Sequence, residues 1–343
     1  MALVDRLAYG ANRAARVGWY TAHYFLARRI APADGERRAT REEGLALRAE
    51  LRRAMADLFA AELADIESGI YRAPPPFELP PHELVARSLR FFADIREVDA
   101  RRRGRVNDEP FRAGLRPDLP RYYLQNFHYQ TDGWLSPQSA ALYDTQVETL
   151  FTGMADAMRR RALPPLRRAL AGRLRSAKLL DIACGTGRFL AEVKRNWPRL
   201  AVTGLDLSGD YLAEARRLLA PWSRVDLVEA NAEAMPLPDA AFDAVTAIFL
   251  FHELPRAVRV RVAAEIARVL KPGGTFVLVD SLQKGDRPAF DGLIEAFPRS
   301  FHEPYYADYA RTDLAALFGE AGLRLRETEL AFMSKVTSWQ REP

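Results

Sequence analysis

Cysteine is almost missing from this sequence: Cys184 stands alone among 343 residues. One thiol excludes an internal disulfide and any multi-cysteine metal site, and it suits a reducing compartment such as the cytoplasm. Long apolar runs are missing as well. The longest uncharged stretch near the amino-terminal end, Val17 to Ala27, is far below the ~20 residues of a membrane span, so no transmembrane helix is expected. Neither sign of charge dominates: 50 Lys and Arg face 45 Asp and Glu, a net +5 that gives no indication of a nucleic-acid partner. No short ligand spacing of the H-E-x-x-H kind occurs, so no metal is expected. What is present is ordinary for a folded chain. With 48% hydrophobic and 28% charged residues a real core can form, and the length exceeds one average domain.

From residue 1 to about 165 nothing reads as alternating strands, whereas Arg41–Tyr71 and Pro81–Arg103 carry long helical patterns. Ala73-Pro74-Pro75-Pro76 and Pro80-Pro81 separate these segments, because proline lacks the amide donor and disfavours helix before it. Residues 2–29 combine Arg6, Arg13, Arg16, Arg28 and Arg29 with Leu3, Leu7, Trp19, Tyr20, Tyr24, Phe25 and Leu26. Two readings stay open here. One is a basic amphipathic helix making peripheral membrane contact, and the other a helix packed on its own domain or on a second copy in a homodimer.

After Arg175 short apolar runs alternate with amphipathic helices, the pattern of a parallel sheet with crossover helices. Expected strands are Lys178–Ala183, Ala201–Asp206, Val225–Ala230, Phe242–Phe249 and Thr275–Asp280, with two more between Leu323 and Glu342. Helices fall near Arg188–Asn196, Asp210–Leu219 and Ala257–Leu270, the last stopped by Lys271-Pro272-Gly273-Gly274.

The strand ending in Asp181 runs into Ile182-Ala183-Cys184-Gly185-Thr186-Gly187 and then a helix, placing small residues where a backbone must approach a ligand. The dinucleotide pattern G-x-G-x-x-G is absent, since Leu190 stands where its third glycine belongs. About 20 residues further on, Asp206 ends the next strand before Leu207 and Ser208, where a carboxylate can accept hydrogen bonds from ribose hydroxyls. The bland alternative is an acidic helix cap, a role that Ser208 can fill. After the third strand, Asn231 offers an amide able to read an adenine edge, and the small Ala232 frees its backbone to do the same.

These residues, with Asn231-Ala232-Glu233 and Ala267-Arg268-Val269-Leu270-Lys271-Pro272-Gly273-Gly274, resemble class I methyltransferases dependent on S-adenosylmethionine, notably the ubiquinone/menaquinone C-methyltransferase family, over residues 178–282. The resemblance implies an α/β fold, a Rossmann-like seven-stranded sheet with one late antiparallel strand. A helical extension over residues 1–140 would precede a core over 141–343 that carries an acceptor-binding insertion at about 283–311. It further implies a cofactor site built from Asp181, Ala183, Cys184, Gly185, Thr186, Gly187, Asp206, Leu207, Asn231, Ala232, Ile248 and Phe249. Ala183 departs from the family, where many relatives carry glycine, and so does Ile248, where the quinone enzymes place a small polar residue.

Methyl transfer from a sulfonium asks a protein mainly to orient the acceptor, exclude water and remove a proton where needed. His252 is the first candidate base because the fold places it beside the sulfonium, and His128 is the second; Glu253 and His302 are further candidates. Tyr122–Leu135 suits an apolar lid able to hydrogen-bond, or a hydrophobic clamp, and Tyr305, Tyr306 and Tyr309 fall in the acceptor insertion. The expectation is methylation of a lipophilic or aromatic small molecule on oxygen or carbon. The alternative is a protein that binds S-adenosylmethionine as a regulator or scaffold.

Overall fold

The computed structural model describes residues 2–32, 41–75, 77, 79–114, 116 and 118–342, so Pro76 of the proline-rich break lies outside the described residues. The chain forms two compact units. One comprises Met1–Ala157 with Ser300–His302, the other Met158–Arg299 with Glu303–Pro343. The division expected after residue 140 falls instead after Ala157, because the helix Pro137–Leu150 packs on the two amino-terminal helices α1 (Leu3–Ile30) and α3 (Pro81–Gly104). The insertion expected at about 283–311 is divided as well. His302 joins the helical unit, where its ring nitrogens meet Gln125 Oε1 at 2.8 Å and Asn107 Nδ2 at 3.2 Å.

In the helical unit, α1 buries Tyr9, Arg13, Arg16, Tyr20 and His23, a stripe at helical spacing that includes two arginines. Their partners lie on their own unit. Arg16 donates to Asp156 Oδ2 at 2.6 Å and to the Gly153 carbonyl at 3.1 Å, and lies 2.7 Å from Glu148 Oε1. Arg13 donates to the Pro75 carbonyl at 2.9 Å, and Tyr9 to Glu62 Oε2 at 2.6 Å on α2 (Arg41–Glu67). This face of α1 is therefore packed within the unit, while Leu3, Leu7, Phe25 and Leu26 stay exposed. Among the described residues no helix is long and apolar enough to cross a membrane.

The second unit is built on seven strands: β1 (Lys178–Ile182), β2 (Ala201–Asp206), β3 (Val225–Glu229), β4 (Phe242–Ile248), β5 (Leu270–Ser281), β6 (Leu323–Ala331) and β7 (Ser334–Arg341). Their order is β3-β2-β1-β4-β5-β7-β6, with β1 to β5 parallel and β7 antiparallel to both its neighbours. β1 and β4 are almost wholly buried, which a sheet covered on both faces demands and which their near-continuous apolar sequences supply. β5 starts earlier than expected. Leu270 already pairs with Phe242, the register shifts through Lys271–Gly274, and pairing resumes between Thr275 and Ala244.

Candidate functional site

Strand order reverses between β1 and β4, and such a switch point opens a crevice at the carboxyl ends of the strands. The loop after β1 lies there. Ala183, Gly185 and Gly187 all have positive φ, at 54°, 54° and 78°. Glycine adopts this at little cost, whereas alanine loses about 1–2 kcal/mol. Cys184 N donates to the Leu205 carbonyl at 3.0 Å, which pins the loop on β2. Its thiol packs beside Gly204, where a Cβ would stand 2.8 Å from the sulfur. Burial pushes that thiol up, with the Asp206 and Asp181 carboxylates adding to it, so Cys184 stays protonated and unreactive. Gly187 precedes the helix Arg188–Asn196, and a Cβ there would press on Ala215 and Leu219 at 3.1 Å. Gly185 faces open space instead: its Cβ would meet only the Tyr211 ring, at 3.9 Å.

Asp206 shapes this loop from β2. One carboxylate oxygen accepts from Gly185 N at 2.8 Å and the other from Ser208 N at 2.9 Å. Ser208 itself caps the helix Gly209–Leu219 by accepting from Tyr211 N, so capping does not occupy the acid. Leu207 N adds a third amide, which leaves about one of the carboxylate's four acceptor sites for a donor outside the loop. Burial raises its pKa to about 6, against the opposing pull of the Ser208 and Gly185 amides, so the carboxylate is mostly ionised at neutral pH. Asp181, buried at the end of β1, accepts from Thr246 Oγ1 of β4 at 2.6 Å, and burial lifts its pKa to about 7. An open glycine backbone beside a buried acid with free acceptor capacity fits a ribose-bearing cofactor.

Asn231 is engaged locally. Its Oδ1 accepts from Glu233 N at 2.9 Å and its Nδ2 donates to Glu233 Oε1 at 3.2 Å, a turn that holds the segment carrying Ala232. At the end of β4, Ile248 is half-buried and Phe249 is held at φ 57°. Phe249 N donates to the Val279 carbonyl at 2.8 Å, and the Arg159 guanidinium lies 5.7 Å from the ring centroid. Left-handed backbone at a bulky residue stores strain, a feature that gathers at functional sites.

The turn Phe251–Glu253 follows, and here His252 sits among acids. Its Nδ1 lies 2.5 Å from Asp280 Oδ1 at the end of β5, and its Nε2 lies 3.5 Å from Glu253 Oε1. The second Asp280 oxygen accepts from Phe251 N at 2.7 Å, fixing the turn. Burial alone would lower the imidazole pKa, but the charges of Asp280, Glu253 and Glu303 outweigh it and raise the value to about 9. Tyr306 and Tyr309 close over the ring, with centroids 5.8 Å and 6.1 Å away. Arg259 holds their segment by donating to Asp308 Oδ2 at 2.8 Å and to the Tyr305 carbonyl at 3.1 Å.

The cofactor candidates from Asp181 to Phe249 and His252 thus belong to the sheet unit, whereas His128 belongs to the helical unit. There it occupies a short turn at φ 53°, its ring 6.0 Å from Phe301. Around it the expected lid segment forms an aromatic cluster in which Phe127 stacks on Trp134 at 4.1 Å. Sequence reasoning missed Asp280, Thr246 and Arg259 as parts of the site. An acid closing the fifth strand was the available signal for Asp280; Thr246 and Arg259 gave none, since their partners lie 65 and 49 residues away.

Residues 179–274 match the family described as "Methyltransferase domain". The chain is 35% identical over 161 residues to a ubiquinone/menaquinone biosynthesis C-methyltransferase of Methylobacterium nodulans, covering 46% of this chain and 62% of that protein. It is 33% identical over 171 residues to a demethylmenaquinone methyltransferase of Bacillus licheniformis, covering 44% of this chain and 72% of that protein. Each match takes in less than half of the present chain and between three-fifths and three-quarters of the relative.

Proposed function

This chain belongs to the class I methyltransferase family that includes the ubiquinone/menaquinone and demethylmenaquinone C-methyltransferases, and from that premise we propose that it methylates a lipophilic or aromatic small molecule, on oxygen or carbon. The observation that carries the reading is the Asp206 carboxylate, pre-set by the Gly185 and Ser208 amides at the switch point of the sheet. S-adenosylmethionine, when bound, supplies an electrophilic methyl group on a sulfonium.

Asp206 would hold the ribose, and the loop Ala183–Gly187 with Leu207 would lie along the cofactor backbone. Asp181 stands behind that loop. Asn231 and Ala232 would border the adenine, and Ile248 with the strained Phe249 would wall the side from which the acceptor approaches. A pKa of about 9 makes His252 an imidazolium at neutral pH, so it has no lone pair with which to remove a proton. Its role as a neutral base gives way to that of a positioned cation, held by Asp280, that steadies the negative charge of a phenolate or enolate acceptor. His128 belongs to the other unit, and no step is assigned to it.

The test is S-adenosylhomocysteine release by the purified protein, given S-adenosylmethionine and fractions of a cell extract, with lipid and aqueous fractions assayed separately. Product formed with the lipid fraction supports the reading. Product formed only with aqueous fractions would overturn a lipophilic acceptor, and cofactor binding without product from any fraction would favour the binding-only alternative.

A further inference from the structure

The helical unit holds a cavity of about 200 Å³ whose wall residues all belong to that unit. About 150 Å³ of apolar space already holds a benzene ring, so this volume accepts one ring or two fused rings. Most of the wall is apolar, including Phe91, Ile95, Val147 and Leu150. The polar part is organised as a chain. Gln130 Nε2 donates to Gln146 Oε1, Gln146 Nε2 lies 3.5 Å from Asp94 Oδ2, and Thr131 donates to Asp94 Oδ1 at 2.7 Å. Thr149 follows Gln146 by three residues on the same helix and so shares its face.

This chain is incomplete. Among the described residues neither Gln130 Oε1 nor Thr149 Oγ1 has a hydrogen-bond partner, although Gln130 is 3% and Thr149 4% exposed. A buried polar atom left unpaired is costly, and a ligand group can recover that cost. A hydroxyl suits the need, since it both donates, as Gln130 Oε1 requires, and accepts, as the Thr149 hydroxyl requires. Both unpaired atoms are neutral, so a neutral group suits them; of the wall's charges, Arg102 is paired with Asp99, Arg28 lies on the Tyr24 hydroxyl and ring, and burial raises the Asp94 pKa.

We propose that this cavity binds a neutral aromatic amphiphile of one or two rings, its ring among Phe91, Ile95, Val147 and Leu150 and its hydroxyl completing the Gln130–Gln146–Thr149 cluster. The site belongs to the helical unit, lies outside the matched residues 179–274, and stands independently of methyl transfer.

1-Naphthol is the probe and naphthalene its partner without a hydroxyl, each titrated into the full chain by fluorescence. The expected result is saturable one-site binding of 1-naphthol, with naphthalene about tenfold weaker, the equivalent of one net hydrogen bond. Gln130→Leu, which removes the unpaired Oε1, should erase that difference. Ile95→Trp should fill the cavity and abolish binding of both probes; Val98→Trp, at a half-buried wall position, serves the same purpose if the first variant fails to fold. Asp206→Ala should leave 1-naphthol affinity unchanged. Non-saturable binding, equal affinity for the two probes, unchanged affinity in a folded cavity-filled variant, or loss of 1-naphthol binding in Asp206→Ala would each overturn the proposal.

Discussion

In the sheet unit apolar strand residues such as Leu179, Leu180, Val245 and Phe276 fill the deepest layer, whereas in the helical unit Arg16, Glu62, Asn126 and Glu148 lie at the same depth. Apolar and charged positions at one depth obey different physics. Aliphatic strand positions tolerate change as long as volume is kept. Buried charges tolerate much less: a matched pair adds little net stability over an apolar replacement, yet removing one partner strands the other in a low-dielectric interior. The sheet unit buries charge in two ways: Arg160 and Lys194 are held deep by Glu192 and by backbone carbonyls, while Asp181, Asp206, His252 and Asp280 gather at the carboxyl ends of β1, β2, β4 and β5. In the helical unit these buried charges hold structure, and in the sheet unit they hold structure and also mark a site.

The sharpest way to break this contrast is Arg16→Met, which leaves Glu148 and Asp156 facing each other without their shared cation. Chemical denaturation followed by circular dichroism should show a loss of about 3–5 kcal/mol. A loss below about 1 kcal/mol, the worth of an exposed pair, would mean that the buried ions do not hold the helical unit.

Asp206→Ala carries the next largest effect. It removes an acceptor for the ribose and the anchor for Gly185 N, and calorimetry should find S-adenosylmethionine affinity lowered by about 100-fold, as expected for losing charged hydrogen bonds. Unchanged affinity would sink the cofactor assignment.

His252 separates its two roles by pH. Its folded-state pKa is raised from 6.5 to about 9, so the imidazolium persists at neutral pH and is lost as pH rises through about 9. Turnover should fall across that upper range, and the ion pair with Asp280 should contribute stability fully below pH 6.5 and lose it through pH 9. Turnover that instead climbs toward pH 9 would restore His252 as a neutral base. The smallest effect concerns the loop: Ala183→Gly relieves an alanine at φ 54°, and thermal unfolding should show a gain of about 1 kcal/mol at most, since added chain entropy offsets part of the relief.

The sheet unit was largely legible in advance because its signals are local. Each strand announced itself by a short apolar run, the helix Arg188–Asn196 was expected with the bounds observed, and the late antiparallel strand proved to be β7. Only β5 was misread at its start, since Lys271-Pro272-Gly273-Gly274 carries the local chemistry of a helix stop while Leu270 already pairs with Phe242. The helical unit was legible as helices but not as a packed body. Its stabilising pairs join Arg16 to Asp156 and Tyr9 to Glu62, across separations of 140 and 53 residues, and no periodicity reports such matches. For the same reason the end of that unit could not be placed at Ala157 rather than near residue 140.

Sequence alone determined the order of strands and helices after Arg175, the small-residue loop, and the acid at the end of β2, because each depends on neighbours a few residues apart. Tertiary structure decided what those residues do to one another. Only the pairing of β4 with β5 brings Asp280 beside His252, and that contact, with Glu253 and Glu303, raises the imidazole pKa to about 9. Only the packing of α1 and α3 on the helix Pro137–Leu150 frames a pocket, open on one side, with a half-satisfied polar chain. Charge state and enclosed space are properties of surroundings, and surroundings are assembled from parts of the chain that the sequence keeps far apart.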